Sequence, residues 1–505
     1  MKRDEGLFLW NIEEEGVKNM IRPECEQILS LAEEYQIIPV CKEIYADMMT
    51  PISMLLRLSA VGERYFLLES VEGGEKWGRY SFLGCDPTMR VSCKDGKVTI
   101  ETEDERKIVE TEKPLTVLRD ILKQYKAPRL PDMPPFTGGF VGHFSYGMIG
   151  YAEPTLKLKS GEFEDYDFML FDKIIAYDHL KQKICLIVHM KTDRAMENYG
   201  RAMADLQKMT DLIRSSAKLP DYRADKNVNF TCNQTKEEFC DMVEKAKQYI
   251  FDGDSFQIVV SRRFESEYKG SLINAYRVLR TTNPSPYMVY MKFDDKEIMS
   301  TSPETLVRLE NGRLITFPVA GSRPRGVTLE EDKALETELL ADEKELAEHN
   351  MLVDLGRNDL GRICRFGTVE VTEYKKIHKY SRIMHICSQV EGDIREECDS
   401  LDAIESVLPA GTLSGAPKIR ACEIIEELEK SPRGIYGGAL GYLDFTGNMD
   451  TCIAIRMAVK KNDKVYVQAG AGIVADSVPE TEYEETANKA GAVIRALQNA
   501  REVNE

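Results

Sequence analysis

The sequence predicts an α+β or mixed-sheet fold rather than a regular doubly wound sheet, and three observations carry that prediction. Strand-like runs follow one another near the C-terminus without intervening helices, at 435–445, 451–460 and 464–470. Residues 173–190, KIIAYDHLKQKICLIVHM, read as a β-hairpin turning at DHLKQ. Separating such stretches are segments whose apolar residues recur at three- and four-residue steps, the period of a helix.

Taken in chain order, RYFLLES (64–70) reads as a strand running into a polar end. After the hairpin, Met196, Tyr199, Met203, Leu206 and Ile213 predict a helix over roughly 193–214. SSAKLPDYRADKNVN (215–229) is polar, nearly free of large aliphatics and contains Pro220, so it reads as a linker between a region 1–220 and a region 230–505. Thr235 and Glu238 form a capping box ahead of Phe239, Met242, Val243, Ala246 and Ile250, Gly253 ends that helix, and FQIVVS is a buried strand.

Composition narrows the function classes. The 505 residues are 43% hydrophobic, ample for a large core, and the net charge of −18 with no basic stripe argues against nucleic-acid binding. No apolar run approaches the ~20 residues of a membrane span, and acids interrupt MKRDEGLFLWNIEEEG at once, so a cytoplasmic location is expected. The twelve cysteines include no C-x-x-C pair and read as reduced thiols, and with only six histidines no zinc site is expected.

The candidate chemistry lies in the second region. PETEYEETANKAG (479–491) places Glu482 and Glu485 at i,i+3, and ADEKELAEH (341–349) does the same with Glu345 and Glu348. Each pair is either a solvated helix face or half of a cation site, since Mg²⁺ takes one or two protein carboxylates and fills its shell with water and a substrate oxyanion. Three glycine-bearing segments, PVAGSRPRG (318–326), PAGTLSGAPK (409–418) and QAGAGIVADS (468–477), are ordinary turns or backbone cradles for an anion. None matches a P-loop or a dinucleotide turn. Arg456, in the apolar TCIAIRMAV and expected within a strand, needs an anionic partner, which is either a protein acid or a substrate carboxylate.

Together FPVAGSRPRG, DEKELAEHNMLVDLGRNDLGR, LPAGTLSGAPKIRACEIIEELE and AGAGIVADSVPETEYEET resemble the chorismate-utilising enzymes, and among them the component I subunits of anthranilate synthases. The resemblance is dense over about 231–500 and weaker over about 45–200. It implies a complex fold of two layers with large antiparallel sheets and outer helices. It also implies that Glu348 and Glu485 bind Mg²⁺ directly and Glu345 and Glu482 through water, and that Gly321, Ser322, Gly470, Ala471 and Gly472 cradle chorismate. Tyr436 and Arg456 would grip the enolpyruvyl carboxylate, with Thr412 beside the ring. Ser322 stands where the family usually has Thr, which keeps a hydroxyl. Glu304 matches the general acid for the departing C4 hydroxyl, a role that requires a raised pKa. His385 matches the histidine that promotes pyruvate elimination.

Two positions separate branches of the superfamily. Gln257 stands where water-adding relatives need a lysine base, and Ala320 stands where aminodeoxychorismate synthases commonly carry a nucleophilic lysine. The remaining alternatives are an aminodeoxychorismate synthase component I and a non-catalytic ligand-sensing protein. LLES (67–70) and NPSPYM (283–288) resemble the family's tryptophan site: Glu69 and Ser70 would take the ammonium, and Pro286, Tyr287 and Met288 the indole, with Arg79 or Ser81 near the effector carboxylate. The first region would then be regulatory and part of that site. No glutaminase nucleophile elbow is legible, so ammonia is expected from a separate glutamine amidotransferase subunit in a heterotetramer of two chains of each kind.

Overall fold

A computed structural model describes residues 21–70, 78–222, 228–380 and 383–504; the N-terminal reading and the middle of the expected linker lie outside the described residues. Two large sheets dominate, one of thirteen strands and one of twelve, and the strand pairs are antiparallel. An apolar core lies between them, with Phe66, Ile174 and Val289 from the larger sheet meeting Val141, Met169 and Tyr442 from the smaller. Phe136 stacks on Tyr442 with ring centroids 4.3 Å apart. Helices cover the outer faces: Pro51–Leu58, Ala195–Arg214, Ile273–Thr282 and Pro479–Gln498 on the larger sheet, Pro114–Leu122, Glu343–Gly361 and Ser400–Val407 on the smaller. Each fully buried Phe or Leu in these layers is worth about 1.5–3 kcal/mol of apolar burial.

Local chemistry explains the helix that opens the second region. Thr235 caps Lys236–Phe251 by accepting from the Glu238 N–H, while the Glu238 carboxylate accepts from the Thr235 N–H at 3.0 Å. Gly253, at φ +85°, turns the chain out of it. The hairpin appears as Lys173–Asp178 paired with Lys183–Lys191.

Both halves of the chain contribute a contiguous block of strands to each sheet. In the larger sheet the blocks meet where Tyr65–Glu69 pairs with Tyr287–Lys292, and in the smaller where Gly139–Phe144 pairs with Ala439–Asp444. The polar stretch at 215–229 is thus a break in the sequence but not in either sheet.

The expected strand 451–460 is two strands in two different sheets. Met449–Ile453 belongs to the smaller sheet and Met457–Lys461 to the larger, so Arg456 sits on a crossover at φ +47° rather than within a strand. The run reads as continuous because both segments are apolar and the connection is only Ala454–Ile455–Arg456. Beside it a second crossover passes from Lys296–Ser302 to Thr305–Glu310 through Pro303 and Glu304. The two are tied together: the Ile453 N–H donates to Glu304 O at 3.0 Å and the Thr301 N–H to Arg456 O at 3.1 Å.

Candidate active site

The paired crossovers place Glu304 and Arg456 at one end of the gap between the sheets. The turn Gly411–Leu413 adds Thr412, whose hydroxyl donates to Glu304 Oε2 at 3.0 Å. Burial pushes the Glu304 carboxyl above its ordinary value, helped by the nearby charge of Glu348 and opposed by Thr412, Lys489 and Arg456. Burial also lowers Arg456 from the usual guanidinium value. Among the described residues its guanidinium forms no ion pair, leaving a desolvated cation that faces a cavity.

Val319–Pro324 pairs with Ile383–Asp393 through a bulge between Ala320 and Ser322. The bulged residue is Gly321, at φ +72°, where a side chain would be both strained and crowded by Ile386, Leu339 and Glu345 Oε2 at 3.1–3.3 Å. The bulge aims Ser322 at His385, with Oγ 3.0 Å from Nδ1. Nδ1 is also 3.1 Å from Gly321 O, a group that can only accept, so Nδ1 carries the proton and Nε2 keeps its lone pair. Burial holds His385 below its ordinary pKa, assisted by the charge of Arg456.

Lys464–Ile473 supplies the third wall. Gly470 and Gly472 face the site: a Cβ on Gly470 would lie 2.9 Å from Tyr436 Oη, and one on Gly472 would lie 2.4 Å from Gln257 Nε2. Ala471, on the opposite face of the strand, packs with Phe239 and Ile258, so only its backbone can serve a ligand. A recess of about 100 Å³ is lined by Tyr436, Glu304, Thr412, Arg456, Gly470 and Gly472.

A larger cavity of about 870 Å³ is lined by Glu304, Gly321, Ser322, His385, Thr412, Arg456 and Gly472 together with all four glutamates of the acidic helices. Burial raises Glu348 and Glu482, and each is pushed further by the carboxylate one turn away, Glu345 and Glu485 respectively. Two such pairs lining one cavity have the oxygen donors that suit Mg²⁺; Glu485 and Glu345 pair with Lys489 and Arg323, while among the described residues Glu348 and Glu482 form no ion pair. A different cluster, His143, Glu164 and Asp167, brings its ligand atoms within 4.8 Å of one another. Lys296 Nζ already lies between Asp167 and Glu164, and Arg90 bonds Asp167 at 2.6 and 2.9 Å, so cations of the protein itself neutralise that cluster.

Lys489 was not singled out in the sequence. It lines the same cavity, with Nζ 2.5 Å from Glu485 Oε1 and 3.1 Å from Gly470 O. The available signal was its spacing, four residues after Glu485 and seven after Glu482, which puts all three on one helix face. Gln257 lines the cavity with Nε2 3.5 Å from Glu348 Oε1.

Glu69, Ser70, Pro286, Tyr287 and Met288 line a second cavity, of about 570 Å³, along the seam between the two strand blocks. Several of its charged groups are already engaged. Glu69 accepts from Tyr276 Oη at 2.8 Å and from Arg280 at 2.8 and 3.0 Å. Arg79 pairs with Asp178, and Ser81 Oγ lies 2.7 Å from His179 Nε2. Tyr287 Oη bonds Asp450 at 2.8 Å and lies 2.9 Å from Thr305 Oγ1, next to Glu304.

Comparison with known proteins agrees with this geometry. A family model described as chorismate binding enzyme matches residues 64–495. The anthranilate synthase component 1 of Acetivibrio thermocellus is 48% identical over 494 residues, covering 96% of this chain and 100% of the relative. That of Aquifex aeolicus is 45% identical over 491 residues, covering 95% and 98%. The crystal structure of anthranilate synthase component I from Streptococcus pneumoniae superposes with a TM-score of 0.75 at 37% identity, covering 90% of this chain and 99% of that one. The chain belongs to the chorismate-binding enzyme family, and within it to the anthranilate synthase component 1 group.

Proposed function

We propose that this chain aminates chorismate at C2 with ammonia and then eliminates pyruvate to give anthranilate, using Mg²⁺, with ammonia supplied by a glutamine amidotransferase subunit and with tryptophan as inhibitor. The observation that carries the reading is that one cavity collects a carboxyl biased toward its acid form, a neutral imidazole, a cation without an ion-pair partner and two carboxylate pairs. Glu348 and Glu485, with Glu345 and Glu482 behind water, would hold the metal. When bound, Mg²⁺ would neutralise the ring carboxylate of chorismate and fix the ring.

The residues divide the rest of the work. Arg456 and Tyr436 bind the enolpyruvyl carboxylate in the recess. Glu304, held by Thr412, gives its proton to the C4 hydroxyl, which leaves as water while ammonia bonds to C2 and the ring double bonds shift. The new ammonium group loses a proton. Nε2 of His385 then takes the hydrogen from C2, the C3–O bond breaks, and enolpyruvate leaves and ketonises as the ring becomes aromatic. Gln257 cannot deprotonate water, which favours ammonia as nucleophile, and Ala320 offers no amine where the folate-branch enzymes commonly have one.

The deciding experiment mixes the purified chain with chorismate, Mg²⁺ and an ammonium salt at mildly alkaline pH, and follows anthranilate fluorescence with mass identification of products. Anthranilate and pyruvate in equal amounts, suppressed by EDTA and by tryptophan, is the expected result. Aminodeoxychorismate without pyruvate would move the chain to the folate branch. No turnover alongside intact tryptophan binding would make it a ligand sensor.

A further inference from the structure

Arg262 lies in the strand Gln257–Glu267 and is 1% exposed. Among the described residues no carboxylate lies within ion-pair distance of it. Its guanidinium is spent on the helix Pro479–Gln498: Nε donates to Thr486 Oγ1 at 2.8 Å and Nη2 to Tyr483 O at 2.7 Å. The same group stacks on the Tyr483 ring, 3.7 Å from its centroid, with Phe264 and Phe239 further out. Tyr483 and Thr486 each follow directly after a glutamate of the cavity, Glu482 and Glu485. At 100° per residue, the stripe 483–486 is the neighbour of the stripe 482–485, so a clamp on one fixes the rotation of the other.

The chemistry of the clamp is costly if its only task is packing. A cation buried near a helix N-terminus opposes the helix dipole and has lost its water. An apolar side chain would fill the same space without that cost. What an arginine adds is direction, because its planar fork reaches two acceptors and lies flat on a ring at once, which neither a lysine nor an aliphatic residue can do.

We propose that Arg262 is the positioning residue for the Glu482/Glu485 carboxylate pair, setting the helix rotation that aims both at the divalent cation. This rests on the metal reading of the cavity given above. The test is calorimetric titration of the full chain with Mg²⁺, alongside thermal melts. Arg262→Met is expected to weaken Mg²⁺ binding about tenfold, as loss of an outer support does, and Arg262→Lys, which can reach a single acceptor, less than that. Thr486→Val removes one acceptor at nearly constant shape and is expected to weaken binding a few-fold; it decides the matter if Arg262→Met does not fold. Variants that melt lower but bind Mg²⁺ as the parent does would overturn the proposal and leave Arg262 a packing residue. Glu485→Gln separates the two ideas. If that variant binds Mg²⁺ normally the metal reading itself fails, whereas loss of binding in Glu485→Gln with unchanged affinity in the Arg262 variants sinks only the clamp.

Discussion

The active-site cavity and the seam cavity share Pro286 in their walls and treat their central charged groups differently. In the active-site cavity Arg456 has no ion-pair partner among the described residues, and Glu304 is pushed toward its neutral form. In the seam cavity Glu69 is already held by Arg280 and Tyr276, Arg79 by Asp178, and Asp450 by Arg308 and Tyr287. At Arg456 the first keeps a desolvated cation unspent for an anionic ligand, although Lys489 and Arg323 in the same cavity are paired with Glu485 and Glu345. Under the proposed effector reading, an amino acid bound there would compete with existing bonds at the junction of the two strand blocks, a way to couple binding to a change of conformation.

The largest expected effect tests the first half of this contrast. Glu304→Gln keeps the shape and can still accept from Thr412, but it has no proton to give. The turnover number should fall by about 10²–10⁴, while Mg²⁺ affinity measured by calorimetry stays within about threefold. A loss below tenfold would mean that the raised carboxyl is incidental and that water protonates the leaving group.

Most residues of the candidate site were legible in the sequence, but through the family resemblance: taken alone, the i,i+3 glutamate pairs also fit a solvated helix face and the glycine-bearing segments ordinary turns. Arg456 was legible as a residue but not as a conformation. Its flanks, TCIAI and MAV, are both apolar, and hydrophobic pattern alone does not say that a run changes sheets in the middle. Lys489 was missed because a lysine i+4 from a glutamate is ordinary surface pairing until the helix face is known to line a cavity. Glu69 shows the converse: its partners Tyr276 and Arg280 lie over 200 positions away, so a carboxylate that looked free in LLES is engaged in the fold. The polar stretch at 215–229 reads as a linker between two closely packed regions, and which strands pair across it is a long-range choice that composition does not report.

An intermediate effect tests the second cavity. Glu69→Gln weakens the anchor that Arg280 and Tyr276 share, on the wall facing the proposed effector. The tryptophan inhibition constant should rise about tenfold, a coupling of ordinary allosteric size, with the uninhibited rate within about twofold. Equal losses in both would mean that the seam supports the active site structurally and carries no separate regulatory state.

The smallest effect is the most discriminating, because it asks whether the two cavities communicate through named atoms. In the proposed mechanism His385 is a neutral base. Its pKa is lowered from the ordinary 6.5 by burial, so the working form is lost only as pH falls through that lowered value, and the acid limb of the turnover number should lie below pH 6.5. Glu304, the proposed acid, has a pKa raised from 4.5, so its working form is lost as pH rises through that raised value, and it would set the alkaline side. Both limbs should be measured at constant free ammonia and saturating Mg²⁺, so that neither ammonium ionisation nor protonation of the metal glutamates enters. Tyr287 Oη touches Thr305, the residue after Glu304, whereas His385 sits on the bulged strand pair with Ser322 and Gly321. Half-saturating tryptophan should therefore move the alkaline limb by a few tenths of a pH unit, about 0.5 kcal/mol at Glu304, and leave the acid limb in place. If both limbs move together, the effector acts by closing or distorting the whole cavity, and the Tyr287–Thr305 contact is not the route.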